Sequence, residues 1–152
     1  MSSGLIKARV SAVQEVAHGI SSYGRSLTAA LASARADLNR TGAEFQSALA
    51  NSQRKLQAAE RRTEMAQAEL ARCKEGCEPL QRALAECRVA QDLAKRDHER
   101  NLQAQARFDR AAAELLSSMR TVQTSAETIV PTARQHVQEY AEKLAAYLKT
   151  GV

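Results

Sequence analysis

The chain has 152 residues, a net charge of +5, 3% aromatic residues and no Trp. Much of its apolar fraction is alanine, which favours helix but buries little surface, and strand-like alternation of β-branched or aromatic residues is missing. Because positive and negative side chains are interspersed and no aromatic residues interleave with the basic ones, we expect an all-α protein without a nucleic-acid partner.

The N-terminal segment, from Met1 to Lys7, is not followed by a continuous apolar run. We therefore expect neither a signal peptide nor a transmembrane helix. This interpretation places the protein in the cytoplasm, with export by a route that needs no cleaved signal as the alternative.

The first half of the chain carries one apolar stripe in which steps of three and four residues alternate. This spacing predicts the heptad seam of a coiled coil or a long helical bundle. A single extra four-residue step after Phe45 is a stutter, which locally unwinds a supercoil. The stripe consists of Ile6, Val10, Val13, Ala17, Ile20, Gly24, Leu27, Leu31, Ala34, Leu38, Thr41, Phe45, Leu49, Ser52, Leu56, Ala59, Thr63, Ala66, Leu70 and Cys73.

A reversal of chain direction is predicted at residues 75–79, near the middle of the sequence. Gly76 can adopt the left-handed conformation that ends many helices, and Pro79 can occupy the first turn of the next helix. Glu78 would favourably face the positive end of that new helix. The result is a long antiparallel hairpin with two arms of about 70 residues each.

A second stripe follows the reversal, and a hairpin aligns it with the first. Residue numbers that sum to about 154 then lie level, so Phe45 faces Phe108 and Gly24 lies level with Pro131. The second stripe is predicted as Phe108, Ala112, Leu115, Met119, Val122, Ala126, Ile129, Ala133, Val137, Tyr140, Leu144 and Leu148.

We expect residues 1–152 to form a single elongated helical domain. Its stalk covers about 42–112, and residues 1–41 with 113–152 form the end that carries both termini. Interruptions at Gly24, Gly42 and Pro131 predict shorter, broken helices at that end, with continuous helices as the alternative.

Three cysteines (Cys73, Cys77 and Cys87) follow the seam spacing and match no common zinc spacing. We expect free thiols packed in the seam, and no bond between Cys73 and Cys87. Because no convergent polar cluster or glycine-rich phosphate loop is present, we also expect no enzymatic activity, no metal, no cofactor and no small-molecule substrate.

Two long helices bury only one stripe of side chains on each other, so the apolar residues beside the stripe stay exposed unless another protein surface buries them. We therefore expect a structural or adaptor protein that acts by helix–helix recognition, either self-associating or docking into a larger protein assembly. A peripheral membrane-surface protein with amphipathic helices is the alternative. The predicted partner interface consists of Val10, Val16, Ile20, Leu116, Val130, Val137, Tyr140 and Leu144.

The size and predicted hairpin resemble two bacterial groups, the WXG-type substrates of type VII secretion and the small coiled-coil stalk proteins of type III export. A Trp-x-Gly motif marks the turn of the first group. Residues 75–79 read Glu-Gly-Cys-Glu-Pro and the chain has no Trp, so no functional residue is carried over from either group.

Overall fold

The computed structural model describes the backbone of residues 2–150 and the side chains of residue 4 and residues 7–150. Within this range the chain forms two helices and no strand, α1 (Ser2–Arg72) and α2 (Glu78–Thr150), which pack against each other in opposite directions. The predicted all-α helical hairpin is therefore confirmed. Met1, the Ile6 side chain at the start of the first stripe, and residues 151 and 152 lie outside the described residues.

The reversal occupies residues 73–77, slightly before the predicted segment. Cys73 N donates to Leu70 O at 3.1 Å, which tightens the last turn of α1. Gly76 then adopts a φ of 65°, a conformation that glycine reaches without steric cost. Pro79 lies in the first turn of α2, where its missing N–H has no helical partner to lose.

The prediction of three free thiols is wrong for two of the cysteines. Cys73 and Cys77 form a disulfide across the reversal, with their Cα atoms 5.9 Å apart. The heptad spacing treated both residues as helical, whereas α1 ends at Arg72 and the chain folds back through Gly76. Cys87 is free and half-buried, so the prediction that it does not bond to Cys73 is confirmed.

The expectation of shorter, broken helices near the termini is also wrong, because α1 and α2 continue through Gly24, Gly42 and Pro131. A glycine inside a helix costs only about 1 kcal/mol relative to alanine. Each of these two glycines makes room for a large side chain of α2, Val130 at Gly24 and Phe108 at Gly42. Pro131 is exposed, so the carbonyl group that loses its helical hydrogen bond lies near solvent.

Contacts between the helices divide the chain into two units. The turn unit is Leu38–Ala113, and the terminal unit combines Met1–Asp37 with Glu114–Val152. Each unit is a pair of antiparallel helical segments, so its interior is a single seam between two helices. Among the described side chains, only Ser52, Thr63, Leu84 and Met119 are buried.

The seam of the turn unit follows the predicted register. The rings of Phe45 and Phe108 stack with their centroids 4.9 Å apart. Thr63 Oγ1 lies 3.0 Å from the carbonyl oxygen of Ala59 on its own helix and 3.3 Å from the carbonyl oxygen of Cys87 on α2, so its one proton faces both acceptors. Every α1 residue of the predicted stripe in this unit is buried or half-buried.

A polar pair interrupts the apolar seam of the turn unit. The Ser52 hydroxyl donates to Leu49 O at 2.9 Å and lies 3.0 Å from Nδ1 of His98. Because the single hydroxyl proton is directed at Leu49, His98 Nδ1–H donates to Ser52. Ser52 is one of the buried residues, and this pairing satisfies its oxygen inside the seam.

The seam of the terminal unit departs from the predicted stripe on α2. Leu115, Val122, Ile129 and Tyr140 are exposed, and the half-buried positions are Leu116, Gln123, Val130 and Ala141. At these four positions the seam moves by one residue, which is a rotation of about 100° around the helix. The other predicted positions of α2 in this unit are buried or half-buried as expected, namely Met119, Ala126, Ala133, Val137, Leu144 and Leu148. Val130 fits against Gly24 and so identifies the side of α2 that faces α1.

Candidate functional site: two faces of the terminal unit

Large apolar side chains remain exposed on the terminal unit. Seven of them have exposed fractions between 41 and 70%, in a unit where Met119 is a buried seam residue. They include all three tyrosines of the chain. The seven are Val16, Tyr23, Leu115, Val122, Ile129, Tyr140 and Tyr147.

All seven exposed side chains occupy the same position relative to the seam. Each immediately precedes a half-buried residue, as Val16 precedes Ala17, Tyr23 precedes Gly24 and Ile129 precedes Val130. A step of one residue rotates the side chain by about 100° around the helix, in the same sense on α1 and α2. This rotation is measured relative to the chain direction of each helix. Because the two chain directions are opposite, the residues that precede seam residues on α1 and on α2 lie on the same side of the pair. The seven side chains therefore form one surface, which we call the apolar face.

The apolar face is also free of charge over most of its length. The positions that precede seam residues within 12–33 of α1 and 115–142 of α2 contain no Asp, Glu, Lys or Arg. His136 lies on this face, Arg9 and Lys143 lie at its end near the termini, and Asp37, which precedes the seam residue Leu38, lies at its other end. Between the large side chains lie exposed small ones, namely Ala12, Gly19, Ser26, Ala30, Ser33, Ser118, Ser125 and Thr132.

The opposite side of the terminal unit is charged. It forms an open groove of about 1280 Å³ whose lining includes Arg25, Arg134, Glu127 and Glu142. Each of these residues immediately follows a seam residue, whereas the residues of the apolar face immediately precede one. The two sides of the unit therefore differ in chemistry, one apolar and one charged.

Polar side chains in the groove are paired with one another. Arg35 donates to the amide oxygen of Gln123 across the groove. Gln123 Nε2 donates to Glu127 at 2.8 Å, and Gln138 donates to Glu142 one turn apart on the same helix. Such pairing along and across helices stabilises the segment.

The structure separates the predicted interface residues into two groups. Val16 and Tyr140 lie exposed on the apolar face. The others are half-buried seam residues, namely Val10, Ile20, Leu116, Val130, Val137 and Leu144. Whether any of the eight contacts a partner stays a prediction.

Sequence reasoning missed five members of the apolar face, namely Tyr23, Leu115, Val122, Ile129 and Tyr147. The signal that finds them is the position before each seam residue. The predicted stripes already contained that signal for Tyr23 and Tyr147, which precede Gly24 and Leu148, whereas Leu115, Val122 and Ile129 require knowing the seam on α2 first. Leu115 next to Leu116 and Ile129 next to Val130 are both apolar pairs, so spacing alone could not choose between them.

Residue 4 and residues 7–150 include no group of three His, Cys, Asp or Glu side chains placed to hold a metal ion. In the described part of the chain, neither helix has a stretch that is long and apolar enough to span a membrane. Compared with protein-family models, curated proteins and solved structures, the chain matches none of them.

Proposed function

We propose that this protein is a non-enzymatic structural or adaptor protein that acts by helix–helix recognition through the apolar face of its terminal unit. The observation that carries the proposal is the arrangement of that face. Seven large apolar side chains, with all three tyrosines among them, share one side that is uncharged within 12–33 and 115–142, while charged residues line the other. Tyr is enriched in protein interfaces because it offers a large apolar surface and a polar end.

The surface area of the chain supports a role in association. The chain exposes 11666 Å², whereas a compact monomeric protein of 16.6 kDa exposes about 7,600 Å². The two helices therefore leave much of their surface uncovered by each other. A contiguous exposed apolar surface is a feature of interaction sites, since scattered single residues are normal but an aligned set is not.

The three–four spacing of the seam also favours a helical partner. A coiled-coil-like hairpin presents further rows of side chains beside its seam, and another helix can pack along such a row. The apolar face offers a row of this kind on each helix, with Val16 and Tyr23 on α1 and Leu115, Val122 and Ile129 on α2. The partner is therefore a helical protein surface, and a cytoplasmic assembly remains our prediction for its location.

A comparison of two variants tests this proposal. Val122→Asp places a carboxylate on the apolar face, whereas Val89→Asp changes an exposed valine of the turn unit. Wild-type protein and both variants are immobilised and used to capture proteins from lysate of the native host, after circular dichroism has verified equal helix content. We expect Val122→Asp to lose captured proteins that Val89→Asp retains. Identical captured sets for all three chains would contradict the proposal.

The alternative, a peripheral membrane-surface protein, is favoured by one observation. Tyr140 and Tyr147 share the apolar face with Lys143 and Arg9, and aromatic and basic residues together suit an anionic lipid surface. Co-sedimentation with vesicles of phosphatidylserine and phosphatidylcholine tests it. We expect no pelleting of the wild type. Pelleting that Val122→Asp abolishes and Val89→Asp keeps would favour the membrane function instead.

A further inference from the structure

The apolar face requires a cover, and we infer that a second copy of this chain provides it. The two faces pack together so that α2 of each copy lies over α1 of the other, which gives four helices in two layers. This inference rests on the proposed function and names the partner. Three properties of the face carry it: its charge, its area and the sizes of its side chains.

Charge favours pairing of the face with itself. Two copies that meet through the same surface place like residues near each other, so a charged face would repel its copy. The face carries no Asp, Glu, Lys or Arg at the positions before the seam within 12–33 and 115–142. Arg9 and Lys143 lie at one end, where their long side chains can reach solvent, and Asp37 lies at the other end. The charged groove on the other side offers no comparable surface.

The area of the face is sufficient for a stable dimer. From Leu115 to Tyr147 the face follows α2 for about 48 Å at 1.5 Å per residue. Two helices packed 8–10 Å apart present a layer about 18 Å wide, so the face together with its charged ends covers about 860 Å². A specific interface of standard size buries about 800 Å² on each partner.

The sizes of the side chains select the arrangement of the two copies. At the level of Val122 on α2, the exposed row on α1 presents the small residues Ala30 and Ser33. The contact of Gly24 with Val130 sets those levels and aligns Val122 with the segment between Ala30 and Ser33. A two-fold axis parallel to the helices brings α2 over α1 of the other copy at equal level. Val122 then lies over the small side chains of Ala30 and Ser33, which lets the two helices interdigitate.

The first experiment measures the association state by sedimentation equilibrium over a wide range of protein concentration. We expect wild-type protein and Val89→Asp to form dimers with the same dissociation constant. Val122→Asp should raise that constant by about 100-fold or more, because an unpaired carboxylate is buried within the interface. A wild type that stays monomeric throughout, or equal dimerisation of both variants, would overturn the inference.

The second experiment tests the arrangement of α2 over α1 by charge complementation. A fluorescently labelled Val122→Asp chain is titrated with unlabelled wild type or with unlabelled Ala30→Arg, and binding is followed by anisotropy. If residue 122 lies over residue 30 of the other copy, Ala30→Arg binds the labelled chain about tenfold more tightly than wild type does, which corresponds to one charge-assisted pair. Binding no tighter than that of wild type would overturn this arrangement.

These measurements separate the inference from the proposed function. If wild type is monomeric but Val122→Asp still loses captured host proteins, self-pairing is wrong and recognition of another helical protein stands. If Val122→Asp changes neither dimerisation nor capture, both are wrong.

Discussion

The contact between Gly24 and Val130 predicts whether Gly24→Ala raises or lowers the free energy of unfolding, because the outcome depends on the packing of the terminal unit. A Cβ atom added at Gly24 would lie 2.9 Å from Cγ1 of Val130, whereas carbon atoms in favourable contact are about 3.5–4.0 Å apart. Val130 cannot move aside easily, because a β-branched side chain in a helix has one strongly preferred rotamer. Gly24→Ala therefore introduces overpacking in the seam.

The magnitude follows from two opposing effects. Replacing glycine by alanine inside a helix stabilises it by about 1 kcal/mol. Overpacking of a well-packed interior costs about 1–3 kcal/mol. We expect Gly24→Ala to lower the free energy of unfolding by about 1 kcal/mol. In a Val130→Ala background the clash is removed, and the same substitution should raise the free energy of unfolding by about 1 kcal/mol.

Urea unfolding followed by circular dichroism measures this cycle of four proteins. All samples must have the same low concentration, because association would add to the apparent stability. The expected coupling between positions 24 and 130 is about 2 kcal/mol. If Gly24→Ala raised the free energy of unfolding equally in both backgrounds, the two side chains would not be in contact and the packing described here would be refuted.

Three further predictions concern the turn unit. Reducing the Cys73–Cys77 disulfide opens a short loop and should lower the free energy of unfolding by about 2 kcal/mol, and urea unfolding with and without reductant would contradict this if the curves coincide. Ser52→Ala removes the acceptor of His98 Nδ1–H and should cost about 1 kcal/mol, whereas the exposed control Ser47→Ala should stay within about 0.5 kcal/mol of wild type. An equal effect of these two serine substitutions on the urea midpoint would show that the hydrogen bond contributes nothing. Gln105→Leu should raise the free energy of unfolding by about 1 kcal/mol, because the buried Gln105 Oε1 has no hydrogen-bond partner among the described residues. A fall in the thermal midpoint of that variant would contradict this assignment.

The candidate site could be predicted from the sequence only in part. Val16 and Tyr140 were expected at an interface, and both lie exposed on the apolar face. Val130 and Leu116 were also expected there, but they are half-buried in the seam. Each has an apolar neighbour one residue earlier, and the two neighbours differ by about 100° of rotation around the helix. Spacing cannot choose between them.

The sequence by itself determined the helical hairpin and the seam of α1. Alanine-rich composition and three–four spacing predict long helices, and Gly76 with Pro79 predicts where the chain reverses. These properties depend on local conformational preference and on the spacing of apolar residues, and both can be read directly from the sequence.

Only the tertiary structure decided which of two neighbouring residues of α2, such as Ile129 and Val130, faces α1, whether the helices continue through Gly24 and Pro131, and that Cys73 bonds to Cys77. The physical reason is that each of these depends on the space that one segment leaves for another. Gly24 leaves room for Val130, which orients α2 and places Ile129 outside. The apolar face therefore arises from packing between the two helices, since neither helix specifies it alone.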